Sequence, residues 1–337
     1  MVNSKHALAK WIGLLALLCL ANTGSAQSDA VQSLPGSQVA KAPVEVGTVK
    51  WGRDLDAAYS SSRSSNKPVL VLFQEVPGCS GCQKFGREVL SHPLLVEAIE
   101  DLFEPVVVYN NRSAGTDAEL LKRFKEPAWN YQVIRFLNAS GQDIVPRKDK
   151  IWTVSAVAAR MAEALQAAKR PVPKYLQTLA PVPDKANASQ VAFAMYCFWT
   201  GERHLGKIDG VVATEAGFLD GHEVTLVTYD KSRLPLESLA KKAAQVKCAD
   251  KVYTADGRLL AGLRGGKLTS SYRSAPSSDQ KRQIGRWTAL DKVPAINATQ
   301  RTKINSFAPD SVKLALEWLS PRQRAVLAKV TLSLIHI

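Results

Sequence analysis

The sequence contains only five cysteines in 337 residues and has no long apolar run beyond its N-terminal region. The apolar run in that region, from Trp11 to Leu20, has about ten residues, half of the roughly 20 that a membrane-spanning helix needs. The sequence therefore predicts no permanent membrane span.

Acidic residues are also few compared with basic ones. The chain has 30 Asp and Glu against 44 Lys and Arg, a net charge of +14. The basic residues are spread along the chain, without the clusters and interleaved aromatic residues that are typical of nucleic-acid-binding proteins. We therefore expect no nucleic-acid partner, and attribute the charge to attraction toward anionic envelope surfaces.

The N-terminal region has the layout of a cleavable secretory signal peptide. A short basic segment precedes the apolar run, and small and polar residues follow it as far as Ala26. Cleavage there would remove Cys19 and predicts a secreted or periplasmic protein in an oxidising compartment. Four cysteines would remain: Cys79, Cys82, Cys197 and Cys248.

The roughly 310 residues that remain exceed what a single hydrophobic core usually supports, so we expect two domains. The predicted organisation is a signal peptide (1–26), a flexible lead-in (27–50), a first domain (51–170), a linker (171–186), a second domain (187–290), a C-terminal tail with a short helix that Asp310 opens (291–331), and a segment resembling a translated sequencing adapter (332–337).

The first domain alternates apolar runs with amphipathic segments. Predicted strands cover Pro68–Phe73, Val106–Tyr109 and Val133–Leu137, and predicted helices cover Asp117–Phe124 and Val154–Ala168. The first strand is apolar throughout, as expected for a strand buried on both faces of a sheet. A polar break is predicted at Ser60–Asn66, and the alternation predicts an α/β fold.

Cys79 and Cys82 form a Cys-x-x-Cys motif between the first strand and a helical segment. A cysteine at a helix N-terminus favours the thiolate form, which predicts redox chemistry. A plain disulfide is one alternative, although so short a loop constrains the unfolded chain little. A metal site, with envelope copper, is the other. Because no second Cys-x-x-Cys or Cys/His cluster has suitable spacing, we predict no metal and no cofactor besides the cysteines.

The segment around the motif resembles the thioredoxin-like superfamily, in particular its envelope members. The resemblance rests on Cys79–Phe85, Glu88–Pro93 and Phe103–Val106. The preceding Val76-Pro77-Gly78 is similar to the motif of thioredoxin-like selenoproteins that carry Val-Pro-Gly-selenocysteine. This resemblance implies that Cys79 is the attacking thiol and Cys82 the resolving thiol. Thioredoxin folds usually have a cis-proline just before the third strand, where this chain has Gln132.

The second domain resembles peptide methionine sulfoxide reductase A. The matching residues are Cys197-Phe198-Trp199, Glu202, Gly210-Val211, Gly217-Phe218, Gly221-His222-Glu223-Val224, Val227-Thr228-Tyr229-Asp230 and Ser271-Tyr272-Arg273-Ser274. The resemblance implies an α/β sandwich in which Cys197 attacks the sulfoxide sulfur. It further implies an apolar methyl slot of Phe198 and Trp199, proton donation by Glu223, and a hydrogen bond from Tyr272 to the oxygen.

Such a reaction leaves a sulfenic acid on Cys197, which another thiol must resolve. Cys248 is one candidate, and the Cys79–Cys82 pair is the other. We therefore predict an exported thiol oxidoreductase that acts on oxidised proteins or methionine sulfoxide-containing peptides and draws on an envelope electron donor. Two alternatives remain: a thioredoxin-like exchange enzyme with a degenerate second domain, since Tyr196 replaces the glycine usual before the nucleophile, and a non-enzymatic metal-binding or interaction module.

Overall fold

The computed structural model describes residues 42–128, 132–179, 188–260 and 262–335, the last four of these by backbone only. The predicted signal peptide, most of the lead-in and residues 180–186 of the linker lie outside these ranges. None of the described helices is long and apolar enough to cross a membrane.

The first half of the chain is built on a four-stranded sheet with strand order β2-β1-β3-β4. Strands β1 and β2 are parallel, whereas β3 is antiparallel to both β1 and β4. The elements are α1 (Leu55–Ser65), β1 (Val69–Gln74), α2 (Ser80–Glu88), α3 (Pro93–Leu102), β2 (Glu104–Tyr109), α4 (Gly115–Phe124), β3 (Val133–Leu137), β4 (Lys148–Asp149), α5 (Val154–Ala167) and α6 (Lys174–Gln177).

Strand β1 is the centre of this half, and all six of its residues are buried. Leu70 and Leu72 belong to one apolar cluster, whereas Val69, Val71 and Phe73 belong to another. The alternation of side chains along a strand sends these two groups to opposite faces of the sheet. The prediction of a strand buried on both faces is therefore confirmed.

The predicted polar break at Ser60–Asn66 is wrong, because α1 continues through Ser65. Asp54 caps the helix by accepting hydrogen bonds from the next turn, and Asn66 ends it in a left-handed conformation. The serines of its last turns are compatible with the helix because their hydroxyls bond to backbone carbonyls, as Ser60 does to Asp56.

The folded structure begins before Trp51, the residue at which the sequence predicts that the first domain starts. A 3-10 helix covers Val44–Val46, and Val46 is buried in the first core. This segment lies directly on α2 at Gly86, where a Cβ atom would be only 1.8 Å from the carbonyl oxygen of Val44. The segment from Val44 is thus a packed part of the domain.

Gly86→Ala is expected to destabilise the protein by about 1–3 kcal/mol, the usual cost of overpacking a tight contact. The helix preference for alanine, about 1 kcal/mol, is too small to offset a clash with backbone atoms. Denaturant unfolding of the full chain measures the effect. Gly285→Ala is the matched control, because its Cβ would meet its nearest neighbour at an ordinary 3.5 Å. Equal stability of the two variants would contradict this packing.

The second half contains a six-stranded sheet with strand order β10-β6-β7-β5-β8-β9, in which only the β8–β9 pair is parallel. Its elements are β5 (Ala188–Ala194), α7 (Phe198–Leu205), β6 (Val211–Leu219), β7 (His222–Asp230), α8 (Leu236–Gln245), β8 (Lys251–Thr254), β9 (Arg264–Lys267), β10 (Arg273–Ser274), α9 (Ala298–Phe307), α10 (Val312–Leu316) and α11 (Pro321–Ile335). Both halves combine helices with a sheet, and the predicted α/β class is confirmed.

The C-terminal region is more structured than a tail. Helix α9 begins with a capping box between Asn297 and Gln300, and it packs on α7 and β6. The next helix, α10, is capped by Ser311 and not by the predicted Asp310. Asp310 instead forms ion pairs with Arg203 and Lys207. The adapter-like origin of residues 332–337 stays a prediction.

Part of the predicted linker is folded, because α6 buries Tyr175 and Leu176 in the first core. Contacts between the two halves involve α3, α6 and the C-terminal helices. They include a hydrogen bond from Ser320 to Glu97 and ion pairs Arg322–Glu100 and Lys174–Glu317. None of these three contacts involves α2 or α7, the helices whose N-termini are capped by Cys79 and Cys197.

Candidate active sites

Cys79 lies at the N-terminus of α2, in the capping position directly after the loop that leaves β1. Its side chain is exposed, and its sulfur lies 3.4 Å from that of Cys82. The pKa of the Cys79 thiol is lowered, chiefly because the backbone N–H of Cys82 and then its thiol hydrogen-bond to the sulfur. Cys79 is therefore the accessible sulfur of the pair and the one more readily ionised.

Cys82 lies one turn into α2 and is only 4% exposed. Burial, followed by the hydrogen bond with Cys79, raises the pKa of its thiol to about 12. The Cys82 thiol also lies 3.7 Å from the carboxylate oxygen Oε2 of Glu75. The pair thus combines an exposed thiol that ionises readily with a buried thiol that does not, the asymmetry expected of an attacking and a resolving thiol.

The loop before Cys79 is held by residues that the sequence did not single out. The buried Glu45 accepts a hydrogen bond from the Gly78 N–H at 2.9 Å. The side-chain amide of Gln74 donates to the carbonyls of Glu45 and Cys82. A cis peptide bond joins Val76 to Pro77. The N-terminal segment therefore helps to fix the geometry of the two thiols.

A groove of about 430 Å³ runs beside Cys79, lined by Gly81, Lys84, Phe85, Glu88, Val89, Trp152 and Thr153. Trp152 is 40% exposed and packs edge-on against Phe85. Gln132, at the place usual for a cis-proline, is buried and donates to the carbonyl of Ile151, next to Trp152. The groove therefore has an apolar wall and two charged side chains, Lys84 and Glu88.

The reduced protein is expected to react with iodoacetamide at Cys79 well before Cys82. The thiolate is the reacting form, so the rate at Cys79 should fall as pH drops through its lowered pKa. That midpoint should lie below the usual value of about 8.5 for a free cysteine. Mass mapping after short exposure measures the order, with Cys79→Ser as the control that loses the early label. Prior labelling of Cys82 would contradict this assignment.

Cys197 occupies the corresponding position in the second half, capping the N-terminus of α7. It is half-buried, and it carries no disulfide. The next backbone N–H, that of Phe198, donates to Glu223 Oε2 at 2.9 Å. The structure thus brings the predicted proton donor Glu223 to the first turn of the helix that begins at Cys197.

Aromatic rings surround this helix start. Phe198 is buried, with its ring 5.7 Å from that of Trp199 and 5.6 Å from that of Phe218. Phe218 lies directly opposite Glu223 in the β6–β7 pair. Phe218 therefore packs against Phe198, which together with Trp199 forms the predicted apolar slot. The reductase-like pattern contained Phe218 but assigned it no role. Tyr196, next to Cys197, is 97% exposed.

Tyr272 is placed away from this slot. Its hydroxyl donates to Glu215 at 2.8 Å, and its ring lies over Gly217, where a Cβ atom would clash at 2.5 Å. Residues 215 and 217 share one face of β6, whereas Phe218 and Phe198 meet on the other face. The described structure thus does not support the predicted hydrogen bond from Tyr272 to a substrate oxygen at Cys197.

Cys248 is completely buried in the apolar cluster between α8 and the sheet. Burial raises the pKa of its thiol to about 11, and the thiol donates to the carbonyl of Val246. A thiol in this state is a poor nucleophile. This placement favours a structural role for Cys248 over the predicted resolving role.

A buried ion pair fixes the loop that contains Lys281 to α7, the helix that follows Cys197. Glu202, on α7, is fully buried and pairs with Lys281 at 2.5 Å, while the Lys281 N–H donates to its other oxygen. Burial raises the pKa of Glu202, although Lys281 opposes this. Glu202 belongs to the reductase-like pattern, but that pattern did not predict its pairing with Lys281.

A family model described as thioredoxin-like matches residues 50–139. Peptide methionine sulfoxide reductase MsrA 1 of Rhizobium meliloti (strain 1021) is 32% identical over 113 residues, which cover 28% of this chain and 46% of that relative. The chain therefore spans less than half the length of this relative.

Among solved structures, the DsbH oxidoreductase shares 17% sequence identity and covers 42% of this chain and 95% of its own, with a TM-score of 0.29. This score is too low to establish a common fold. The relation to selenoproteins stays a prediction. Residues 50–139 form a thioredoxin-like domain, and partial similarity to a methionine sulfoxide reductase supports thiol oxidoreductase chemistry in broad terms.

Proposed function

We propose that the protein is an exported thiol oxidoreductase with two reactive cysteines, Cys79 and Cys197. The observation that carries this proposal is the pair of sulfurs 3.4 Å apart at the N-terminus of α2, one exposed and one buried. We further propose that it acts in a secreted or periplasmic location on oxidised proteins or methionine sulfoxide-containing peptides. An envelope thiol donor would supply its electrons.

At the first site, the Cys79 thiolate attacks one sulfur of a substrate disulfide. The substrate S–S bond breaks, one substrate thiolate leaves, and a mixed disulfide with Cys79 forms. Cys82 then attacks the Cys79 sulfur, the Cys79–substrate S–S bond breaks, and the Cys82 proton passes to the departing substrate thiolate. The second substrate thiol is released, and the two electrons that reduce the substrate come from the two cysteines, which become a disulfide.

At the second site, the Cys197 thiolate attacks the sulfur of methionine sulfoxide. Glu223 donates a proton to the oxygen, and the sulfur–oxygen bond breaks as the bond between the Cys197 sulfur and the substrate sulfur forms. The oxygen then bonds to the Cys197 sulfur as this S–S bond breaks, so that the products are methionine and a sulfenic acid on Cys197. Cys79 then condenses with the sulfenic acid, releasing water and forming a Cys79–Cys197 disulfide. Attack by Cys82 on Cys79 frees Cys197, and the tether between the halves raises the effective concentration of the pair.

Turnover of a methionine sulfoxide peptide by the full chain tests this proposal. We expect Cys197→Ser to abolish turnover, because serine cannot form the sulfenic acid. Cys248→Ala is the matched control and should keep turnover, because Cys248 lies in the apolar core. Undiminished turnover in Cys197→Ser would exclude Cys197 as the nucleophile, and loss in the control would return the resolving role to Cys248.

The second candidate function is disulfide exchange by the first domain alone. The placement of Tyr272 favours it, because its hydroxyl is bonded to Glu215 on the far face of β6. Reduction of insulin disulfides without any turnover of methionine sulfoxide would select this candidate.

A further inference from the structure

Three potential metal ligands meet at the first site: the thiols of Cys79 and Cys82 and the carboxylate of Glu75. Their ligand atoms all lie within 4.8 Å of one another. The two sulfurs are 3.4 Å apart, and the Cys82 sulfur is 3.7 Å from Glu75 Oε2. Disulfide exchange uses the two thiols but assigns no role to the carboxylate.

These distances are close to the edges of a tetrahedral zinc site. With Zn–S bonds of about 2.3 Å and Zn–O bonds of about 2.0 Å, ideal geometry places two sulfurs about 3.8 Å apart and a sulfur and an oxygen about 3.5 Å apart. The observed 3.4 and 3.7 Å edges therefore need shifts of only a few tenths of an ångström. The third edge, from the Cys79 sulfur to the Glu75 carboxylate, is no longer than 4.8 Å and closes toward about 3.5 Å when the metal binds. Because Cys79 is exposed, solvent can reach a fourth ligand position.

We propose that the reduced protein binds one zinc ion through Cys79, Cys82 and Glu75, with water as the fourth ligand. Two thiolates and one carboxylate form a mixed sulfur and oxygen ligand set of the kind that zinc accepts. The same set suits copper(I) less well, since copper(I) favours soft sulfur ligands, and it suits magnesium and calcium poorly, since they favour oxygen.

The loop keeps the three ligands together. Glu75 directly follows β1, and Gly78 passes so close that a Cβ atom there would lie 2.5 Å from the Glu75 carbonyl oxygen and 2.7 Å from the Cys82 Cβ. The backbone N–H of Gly78 is held by Glu45. A side chain at position 78 would therefore push Glu75 and Cys82 apart.

Zinc binding and disulfide exchange then exclude each other. Binding replaces two thiol protons with one Zn²⁺ and leaves the sulfurs reduced, whereas the Cys79–Cys82 disulfide has no thiolate to offer. Bound zinc also occupies the Cys79 sulfur that attacks substrates. The site would stabilise the reduced state by mass action and hold the enzyme inactive until the metal is removed.

The test is a zinc titration of the full chain, reduced with a phosphine that does not compete as a thiol ligand, against a chromophoric chelator. We expect one zinc per reduced chain and none per oxidised chain. Cobalt(II) should give a thiolate-to-cobalt charge-transfer band that reports sulfur ligation directly. Circular dichroism of each variant confirms that it is folded.

Cys79→Ser and Cys82→Ser are expected to lose this binding and the cobalt band. Glu75→Gln should weaken zinc by at least about tenfold, since even outer-shell losses cost 10–100-fold. Glu119→Gln, which removes an exposed carboxylate on α4 outside the groove beside Cys79, is the control and should bind like the parent chain. Binding that survives in either serine variant, unchanged affinity in Glu75→Gln, or no binding by the folded reduced chain would each overturn the proposal. Insulin reduction without metal tests the oxidoreductase proposal separately.

Discussion

Cys79→Ser should lower the rate of insulin disulfide reduction by on the order of a thousandfold or more, because removing a nucleophile commonly costs at least this much. Cys79 is the exposed sulfur with the lowered pKa, whereas Cys82 is buried and its pKa is raised to about 12. The remaining Cys82 thiol is thus neither accessible nor ionised near neutral pH. Turbidity of reduced insulin, followed with a chemical electron donor, measures the rate.

Cys82→Ser separates the two roles. This variant should still form mixed disulfides through Cys79 but fail to release them, so that substrate accumulates as a covalent adduct. Cys248→Ala serves as the control and should keep the parent rate. If Cys79→Ser retained a substantial rate, or if adducts formed in that variant, Cys79 would not be the attacking thiol.

Lys281→Met should destabilise the protein by about 3–5 kcal/mol, the usual cost of breaking a buried ion pair by removing one partner. Glu202 would then be a buried carboxylate without its cation, since its side chain is 0% exposed. The pKa of Glu202 is already raised by burial and would rise further. Folding then buries an ionised Glu202 carboxylate without its cation. The loss in free energy of unfolding should therefore be present at neutral pH and shrink as acid protonates Glu202.

Denaturant unfolding at several pH values measures this effect. Arg258→Met is the matched control, because it removes a pair with Glu237 whose side chains are 49% and 63% exposed. Exposed pairs contribute about 1 kcal/mol or less. Glu202→Gln combined with Lys281→Met should recover part of the loss. A loss of stability no larger than that of Arg258→Met would show that the buried pair does not hold α7 to the loop that contains Lys281.

The sequence predicted the parts of the first site that depend on local pattern. The continuous apolar run of β1 and the adjacent Cys-x-x-Cys place Cys79 at a helix start without any long-range information. The residue pattern around Cys197 predicted no helix, and the structure alone places this cysteine at the start of α7. In both cases a strand leads directly into a helix, and the cysteine stands at the junction.

The features that escaped prediction depend on contacts between distant segments. Glu45, in the polar lead-in, contacts the loop before Cys79 by accepting a hydrogen bond from Gly78, which lies 33 positions later in the chain. Helix α9 buries polar residues, among them Thr302, Asn305 and Ser306, so its buried face lacks the apolar stripe that marks a helix. The position of Tyr272 follows from the pairing of Arg273 with Phe218, a register that residue spacing does not reveal.

The linkage of the two sites is tested most directly by trapping their intermediate. The Cys82→Ser chain, reduced and then treated with a methionine sulfoxide peptide, is digested and its disulfides are mapped by mass spectrometry. We predict a sulfoxide-dependent disulfide between Cys79 and Cys197, because Cys82 is no longer present to resolve it. A sulfenic acid that persists on Cys197, or a Cys197 disulfide to Cys248 alone, would contradict electron supply from the Cys79–Cys82 pair.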